Sequence, residues 1–481
     1  MFRQTIVLTV CAAALIVAPV NAGDLRVGFA DRDITPDPEA VDVWLAGYTP
    51  GRLATGVHDR LHARALVLDD GERRLGVVSV DLVGMQHPQV ERIRERLKGV
   101  DYVIVCSTHN HEGPDTIGIW GRSFIHRGVD DEYMDEVIDK CVSAVQEAAD
   151  KVQPAAAHFG VAQNDDLLRD SRRPVAKDGK LRTLRFVDAK DKVSGLLVQW
   201  NCHPEALGSD NTEITADYPH WTIARLRQKY DCPVVFVVGA VGGLMAPPKQ
   251  LPAAEPNGEP YYEGQFELAE AYGNLVGDLA IQSVEAGKPI QLTPITTARQ
   301  IVAAQVQNSW YRTARILKVV RRPGYEWTGD YRKLGELLVR GGGGAAKRTA
   351  IRTEVAYVRC GDLGLACIPG ELYPELVYGQ FQEPADAGAD YPEAELEPTV
   401  QSLLPDSHWM VFGLANDEIG YIIPKRQWDL KPPFAYGRKR PQYGEINSCG
   451  VGVAPTIMSA LRDCVEKMPR SAKPVAPAVA P

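Results

Sequence analysis

The sequence predicts an α/β fold, a mixed β-sheet core flanked by helices, on three observations. Short β-branched runs alternate with segments whose apolar residues recur at helical spacing. Residues 75–82 read as a strand, 88–98 as a helix and 102–107 as a strand, a βαβ unit that implies parallel pairing. Of 481 residues, 45% are hydrophobic and 24% charged, which excludes disordered, collagen-like and coiled-coil chains.

Along the chain, residues 1–22 stand apart from that fold. They carry one basic residue, Arg3, then an apolar run from Ile6 to Val20 and a small-residue end at Ala22. This is the layout of a secretory signal peptide cleaved after Ala22. The run is shorter than the ~20 residues a membrane span needs, and Pro19 breaks it. No later stretch is apolar enough to span, so the chain is expected to be exported, to the periplasm or the medium, with no transmembrane segment. Lys+Arg 53 against Asp+Glu 62 gives a net charge of −9, which speaks against a nucleic-acid partner.

The strands are expected in LRVGFA from Leu25, ARALVL from Ala63, LGVVSVDLV from Leu75, DYVIVCST from Asp101 and LLVQWNCH from Leu196. Further ones follow in VVFVVGAV from Val234, VAYVRCG from Val355, LGLACIPGE from Leu363 and HWMVFGLA from His408. Helices are expected over 131–151, where Met134, Val137, Ile138, Cys141, Val145 and Ala148 share a face, and over 218–230, 266–285 and 453–467. The sequence contains no internal repeat, and residues 23–468 read as one domain. Gly341 to Ala346 reads as a mobile loop and 469–481 as a disordered Pro/Ala-rich tail. Eight cysteines follow Cys11. Cys141 and Cys464 fall on apolar helix faces and read as buried thiols. Cys360 and Cys367 flank a possible hairpin turn and are the best disulfide candidates. No C-x-x-C is present, which argues against a ribbon-type zinc site.

The chemistry collects at strand ends, where open α/β sheets gather ligands. Thr108-His109-Asn110-His111-Glu112-Gly113-Pro114 follows the buried strand at 101–107. In an extended chain His109 and His111 point to the same side, one free to bind a metal and the other to handle protons. Asp81 ends the preceding strand and could support them. Asn201-Cys202-His203-Pro204-Glu205 ends another strand, and Pro369-Gly370-Glu371 a third. Tyr421 lies in a segment of low charge and reads as core on pattern alone. Each residue also has a plain structural reading: histidines that cap turns, a solvated Glu on a turn. Together, imidazole and carboxylate suit a catalytic zinc that keeps a position for water.

The ordered set GVHDRLHARALVLDD, VVSVDLVG, CSTHNHEGP, NCHPEAL, CIPGEL and GLANDEIGYI resembles the catalytic domain of the neutral/alkaline non-lysosomal ceramidases and their bacterial relatives. The resemblance covers roughly residues 25–465. It implies a zinc ion held by His109, His203, Glu371 and Tyr421, with His111 as a catalytic proton handler. It also implies an active-site Arg within Asp170-Ser171-Arg172-Arg173-Pro174, for which Arg172 is the choice. The implied reaction is zinc-dependent hydrolysis of an amide in ceramide or a related N-acyl lipid, with transient contact to a membrane surface.

The chain departs from the family at Leu244-Met245-Ala246-Pro247, where relatives carry a Ser before the Pro. The resemblance implies a β-sandwich after the catalytic region in the characterised enzymes, and no counterpart of it is expected within residues 469–481. A zinc amidase or esterase acting on a different small substrate, or a non-catalytic metal-binding relative, stays open. The segment Asp217-Tyr218-Pro219-His220 opens a helix and is expected to shape the pocket near His203.

Overall fold

Three sheets are laid down by the same chain path. Arg26–Asp33, His62–Asp69 and Arg74–Val80 form an antiparallel meander. Helix His87–Arg96 then crosses over, and Tyr102–Ser107 pairs parallel with Arg74–Val80. The second unit repeats this with Ala156–Gln163, Lys180–Val187 and Val193–Trp200, helix Tyr218–Tyr230, and Val234–Val238 parallel to Val193–Trp200. The third runs Ile295–Gln305, Thr349–Cys360 and Leu363–Cys367, and His408–Phe412 returns parallel to Leu363–Cys367. The computed structural model describes residues 25–253, 258–338 and 349–468. The expected signal peptide at 1–22, the glycine loop at 341–346 and the tail at 469–481 lie outside the described residues.

The recurrence is one of topology. A strand position asks only for an apolar side chain of fitting size, so three like sheets need not share a sequence. That is why no repeat is visible in the residues themselves.

Alternation along each strand explains how the sheets pack. Leu75 and Val77 enter one central cluster, while Val78 and Val80 face a second cluster with the helices of the first unit. Val235 and Val237 enter the same central cluster, and Val234, Phe236 and Val238 face the helices of the second unit. Leu363 and Leu365 do likewise for the third, with Ala366 on the opposite face. The inner faces of all three sheets thus share one core, and each outer face is covered by its own helices. Asp131–Asp150 lies over the first sheet, Phe266–Ala286 over the second and Val453–Lys467 over the third. Asp130 starts Asp131–Asp150 by accepting from the backbone N–H groups of Glu132 and Tyr133.

The α/β class with mixed sheets is as expected, and so are the strands and helices read from the residues, to within a few positions. The strands Ala156–Gln163, Lys180–Val187 and Ile295–Gln305 and the helix Ser309–Ile316 are additional. Charged residues interrupt two of these strands; Arg182, for instance, is buried against Gln199. That breaks the apolar signal that marks a strand.

The disulfide expectation is corrected. In the hairpin, Cys360 faces Leu363 and Cys367 faces Ala356. The two cysteines therefore sit about four residues apart along the ladder, roughly 13 Å, far beyond the ~7 Å Cα limit of a disulfide. All eight cysteines of the described residues are free and buried, Cys141 and Cys464 among them.

Candidate metal centre and active site

The segments leaving the sheets interlock at one end of the central core. Ser107 donates to Leu414 O, Gly413 to Val238 O, and Gly242 to Leu372 O, at 2.9 to 3.3 Å. With Gly239 donating to Trp200 O at 2.9 Å, this brings the chain after Tyr102–Ser107, after Val193–Trp200 and after Leu363–Cys367 to one point.

His109 arrives there through a left-handed backbone, φ 65°, rather than the extended chain expected from sequence. A non-glycine residue held in this region is strained, and such strain clusters at functional sites. Its Nδ1 lies 2.7 Å from Val83 O and its Nε2 3.4 Å from Glu371 Oε2. His203 is fixed twice by one carbonyl, since both its backbone N–H and its Nδ1 reach Met245 O at 2.8 Å. Its Nε2 lies 3.0 Å from the same Glu371 Oε2. A carbonyl only accepts, so both Nδ1 atoms carry hydrogen, and each ring presents its Nε2 to Glu371, where a bound ion would take the place of a proton. The Leu244 to Pro247 stretch thus meets His203 through the Met245 carbonyl.

Glu371 opens a two-residue parallel pairing in which its backbone partner is Tyr421. The Tyr421 ring packs edge-on between Tyr373, at 6.2 Å, and Tyr443, at 5.9 Å. Burial, with the Glu371 charge, pushes the Tyr421 phenol well up and keeps it protonated. Burial would lower His109, but the Glu371 carboxylate outweighs it and carries the imidazole up to about 9. Burial likewise opposes the Glu371 charge, yet His109 and His203 hold that carboxyl below its ordinary range.

The third imidazole completes a cluster. The ligand atoms of His109, His111 and His203 lie within 4.8 Å of one another. His111 differs from the other two because no carbonyl holds either ring nitrogen, and its Nδ1 is buried without a hydrogen-bond partner. Its ring is gripped instead by shape. Gly47, at φ 96°, comes so close that a Cβ there would sit 2.3 Å from the His111 ring, and Tyr48 stands edge-on at 5.1 Å. The main chain is pinned by His111 N–H to Pro204 O at 3.3 Å and by Arg52 donating to His111 O at 2.5 Å. Arg52 is itself in a buried pair with Glu112 at 3.0 Å.

The donor set fits a zinc-type ion. Two imidazoles and a carboxylate converge, with Tyr421 paired beside Glu371, an N/O set of the kind such an ion takes. Unpartnered buried polar atoms surround them: His111 Nδ1, Glu418 Oε2, the Tyr373 hydroxyl and Arg172 Nε.

Asp81 does not support either histidine. Its Oδ2 accepts from Arg64 at 2.6 Å and from the His62 N–H at 2.8 Å, so it closes the first sheet instead. A carboxylate at a strand end is drawn to the nearest guanidinium, which sequence spacing does not reveal. Tyr218 of the Asp217–His220 segment braces the strand before His203, its hydroxyl donating to Cys202 O at 2.7 Å.

Arg172 is buried, and its fork is committed. Both terminal nitrogens bond Glu445, at 2.7 and 3.0 Å, and they also donate to Tyr443 O and Gln427 O. Only Nε–H is unpartnered, and the guanidinium lies 5.6 Å from the Tyr373 ring. Arg172→Ala would leave Glu445 charged and buried without its partner, an expected loss of about 3–5 kcal/mol in folding stability. Adding Glu445→Gln should recover part of it in denaturant unfolding.

Two groups of the site escaped the sequence reading. Glu418 lies near Glu371 and His109, and burial with the Glu371 charge raises it to about 8; its only signal was position, three residues before Tyr421. Tyr443 belongs to a polar loop with no pattern at all.

Comparisons with known proteins bear on the fold. The family model described as neutral/alkaline non-lysosomal ceramidase, N-terminal, matches residues 25–221. The solved neutral ceramidase from Pseudomonas aeruginosa shares the fold with a TM-score of 0.68 and 17% identity, over 94% of this chain and 76% of that one. A structure described as ceramidase complexed with C2 gives 0.66 and 16%, over 94% and 77%. Residues 25–221 thus match the neutral/alkaline non-lysosomal ceramidase N-terminal model, and the chain shares its fold with solved ceramidases.

Proposed function

We propose that the chain is an exported zinc-dependent amidase that hydrolyses the amide of ceramide or a related N-acyl lipid. The observation that carries this reading is the convergence of two carbonyl-anchored imidazoles on one Glu371 oxygen beside a third, unanchored imidazole. His109, His203, Glu371 and Tyr421 would hold the ion. When bound, it supplies Lewis acidity to a water and to the scissile carbonyl oxygen.

His111 takes a proton from the attacking water as the new C–O bond forms. It returns that proton to the nitrogen as the C–N bond breaks, which yields a carboxylic acid and an amine. Its freedom from a carbonyl anchor leaves a ring nitrogen available for this work. Arg172 enters through its one free N–H, or by bracing Tyr373, because its fork is already used.

A lipid substrate has a surface to arrive on. Helix Ser309–Ile316 exposes Trp310 and Ile316, with Leu317 just beyond it. Residues 309–321 include Arg312, Arg315, Lys318 and Arg321 and no acidic residue, in a chain of net charge −9. Aromatic and aliphatic side chains beside basic ones suit an anionic lipid interface. Asn308, which caps this helix, donates to Ile446 O and Ser448 O in the loop that carries Tyr443. Among the described residues no helix is long and apolar enough to cross a membrane.

A second reading has its own observation. The resemblance implies a Ser before Pro where this chain has Leu244-Met245-Ala246-Pro247, a departure that favours a smaller amide or an ester on the same centre. A panel of fluorescent ceramide, short N-acyl amides and matched esters, each with chelator and with zinc returned, decides between them. We expect chelation to abolish turnover, zinc to restore it, and kcat/KM to be highest on a long-chain amide. Preference for esters supports the second reading, and turnover indifferent to chelation overturns both.

A further inference from the structure

We propose that Glu205 is the positioning residue of His111, an assignment that rests on His111 being the proton handler. The His111 Nδ1 is buried and lacks a hydrogen-bond partner, and Glu205 Oε2 is the carboxylate that faces it, at 3.6 Å. Both side chains are largely shielded, with 9% and 17% exposure. Among the described residues the Glu205 carboxylate makes no other ion pair or hydrogen bond, so it is not held for another purpose. Its backbone is fixed from two sides, by its N–H to His203 O at 3.0 Å and by the Tyr48 hydroxyl to its carbonyl at 3.4 Å. Tyr48 also stands edge-on against the His111 ring, so one residue sets the distance between base and carboxylate.

The separation is longer than a formed hydrogen bond. Catalytic hydrogen bonds are often long without substrate and tighten when it binds. Drawn together, Glu205 accepts from Nδ1–H, fixes the tautomer with Nε2 unprotonated, and turns that nitrogen toward the reacting atoms. This is the arrangement of a base oriented by a third group. The proton moves only between water, His111 Nε2 and the leaving nitrogen.

Glu205→Ala and the isosteric Glu205→Gln in the full-length, zinc-loaded protein test this. We expect kcat to fall roughly 10- to 1,000-fold, bounded above by the about 10⁴-fold that a fully bonded orienting carboxylate supplies. KM and zinc content should hold, and Glu205→Asp should recover part of the loss. Nitrogen NMR on histidine-labelled protein, with the His111 signals assigned by their loss in His111→Ala, should show Nδ1–H in the parent and mixed tautomers in Glu205→Ala. Unchanged kcat, an unchanged tautomer, or a loss that tracks zinc content overturns the assignment. If the parent turns over no amide at all, the amidase reading fails while the tautomer comparison still decides Glu205.

Discussion

His203→Ala empties the metal centre and takes the activity with it. His203 brings one of two anchored imidazoles to Glu371, 3.0 Å from its carboxylate. Partners that merely orient a ligand are worth about 10–100-fold in metal affinity, so loss of a ligand should weaken zinc by more than about 100-fold. Elemental analysis after dialysis should find the variant nearly free of zinc, with turnover reduced in proportion. The fold is also expected to suffer, because Glu371 loses one of its two buried imidazole partners. Breaking a buried pair outright costs about 3–5 kcal/mol, and His109, still 3.4 Å away, should reduce that.

His111→Ala separates binding from chemistry. The same three-imidazole cluster could in principle hold an ion with His111 as a ligand. The difference in anchoring argues against that: carbonyls orient His109 and His203, and no carbonyl orients His111. The variant should keep its zinc and its melting behaviour while kcat falls by about 10²–10⁴-fold, the usual weight of a general acid–base group. Zinc lost together with activity would make His111 a ligand and remove the proposed proton carrier.

The contrast between what was legible and what was not has a physical pattern. Strand-end clusters around His109, His203 and Glu371 could be read because polar residues directly after a buried apolar run have few other reasons to be there. The three sheets were partly legible for the same reason, since Val234–Val238 and Tyr102–Ser107 are apolar throughout. The positive φ of His109 was not legible, because nothing local requires it. It follows from the Val83 carbonyl and from the other units converging on the same point. Arg172 illustrates the opposite error. Its place in the chain was legible, but its fork is consumed by Glu445, a residue 273 positions away. Glu205 sat in plain view beside His203, yet its relation to His111 exists only once two sheets meet. Cys360 and Cys367 were misread because proximity to a turn was taken for register, and the ladder places them far apart.

The central claim is that one divalent ion sits among His109, His203, Glu371 and Tyr421. Anomalous diffraction at the zinc edge from crystals of active enzyme tests it most directly. The account predicts a single strong peak within coordination distance of both anchored Nε2 atoms, the Glu371 carboxylate and the Tyr421 hydroxyl, with His111 outside that distance. Active crystals with no peak there, or a peak ligated by His111 in place of Tyr421, would contradict it.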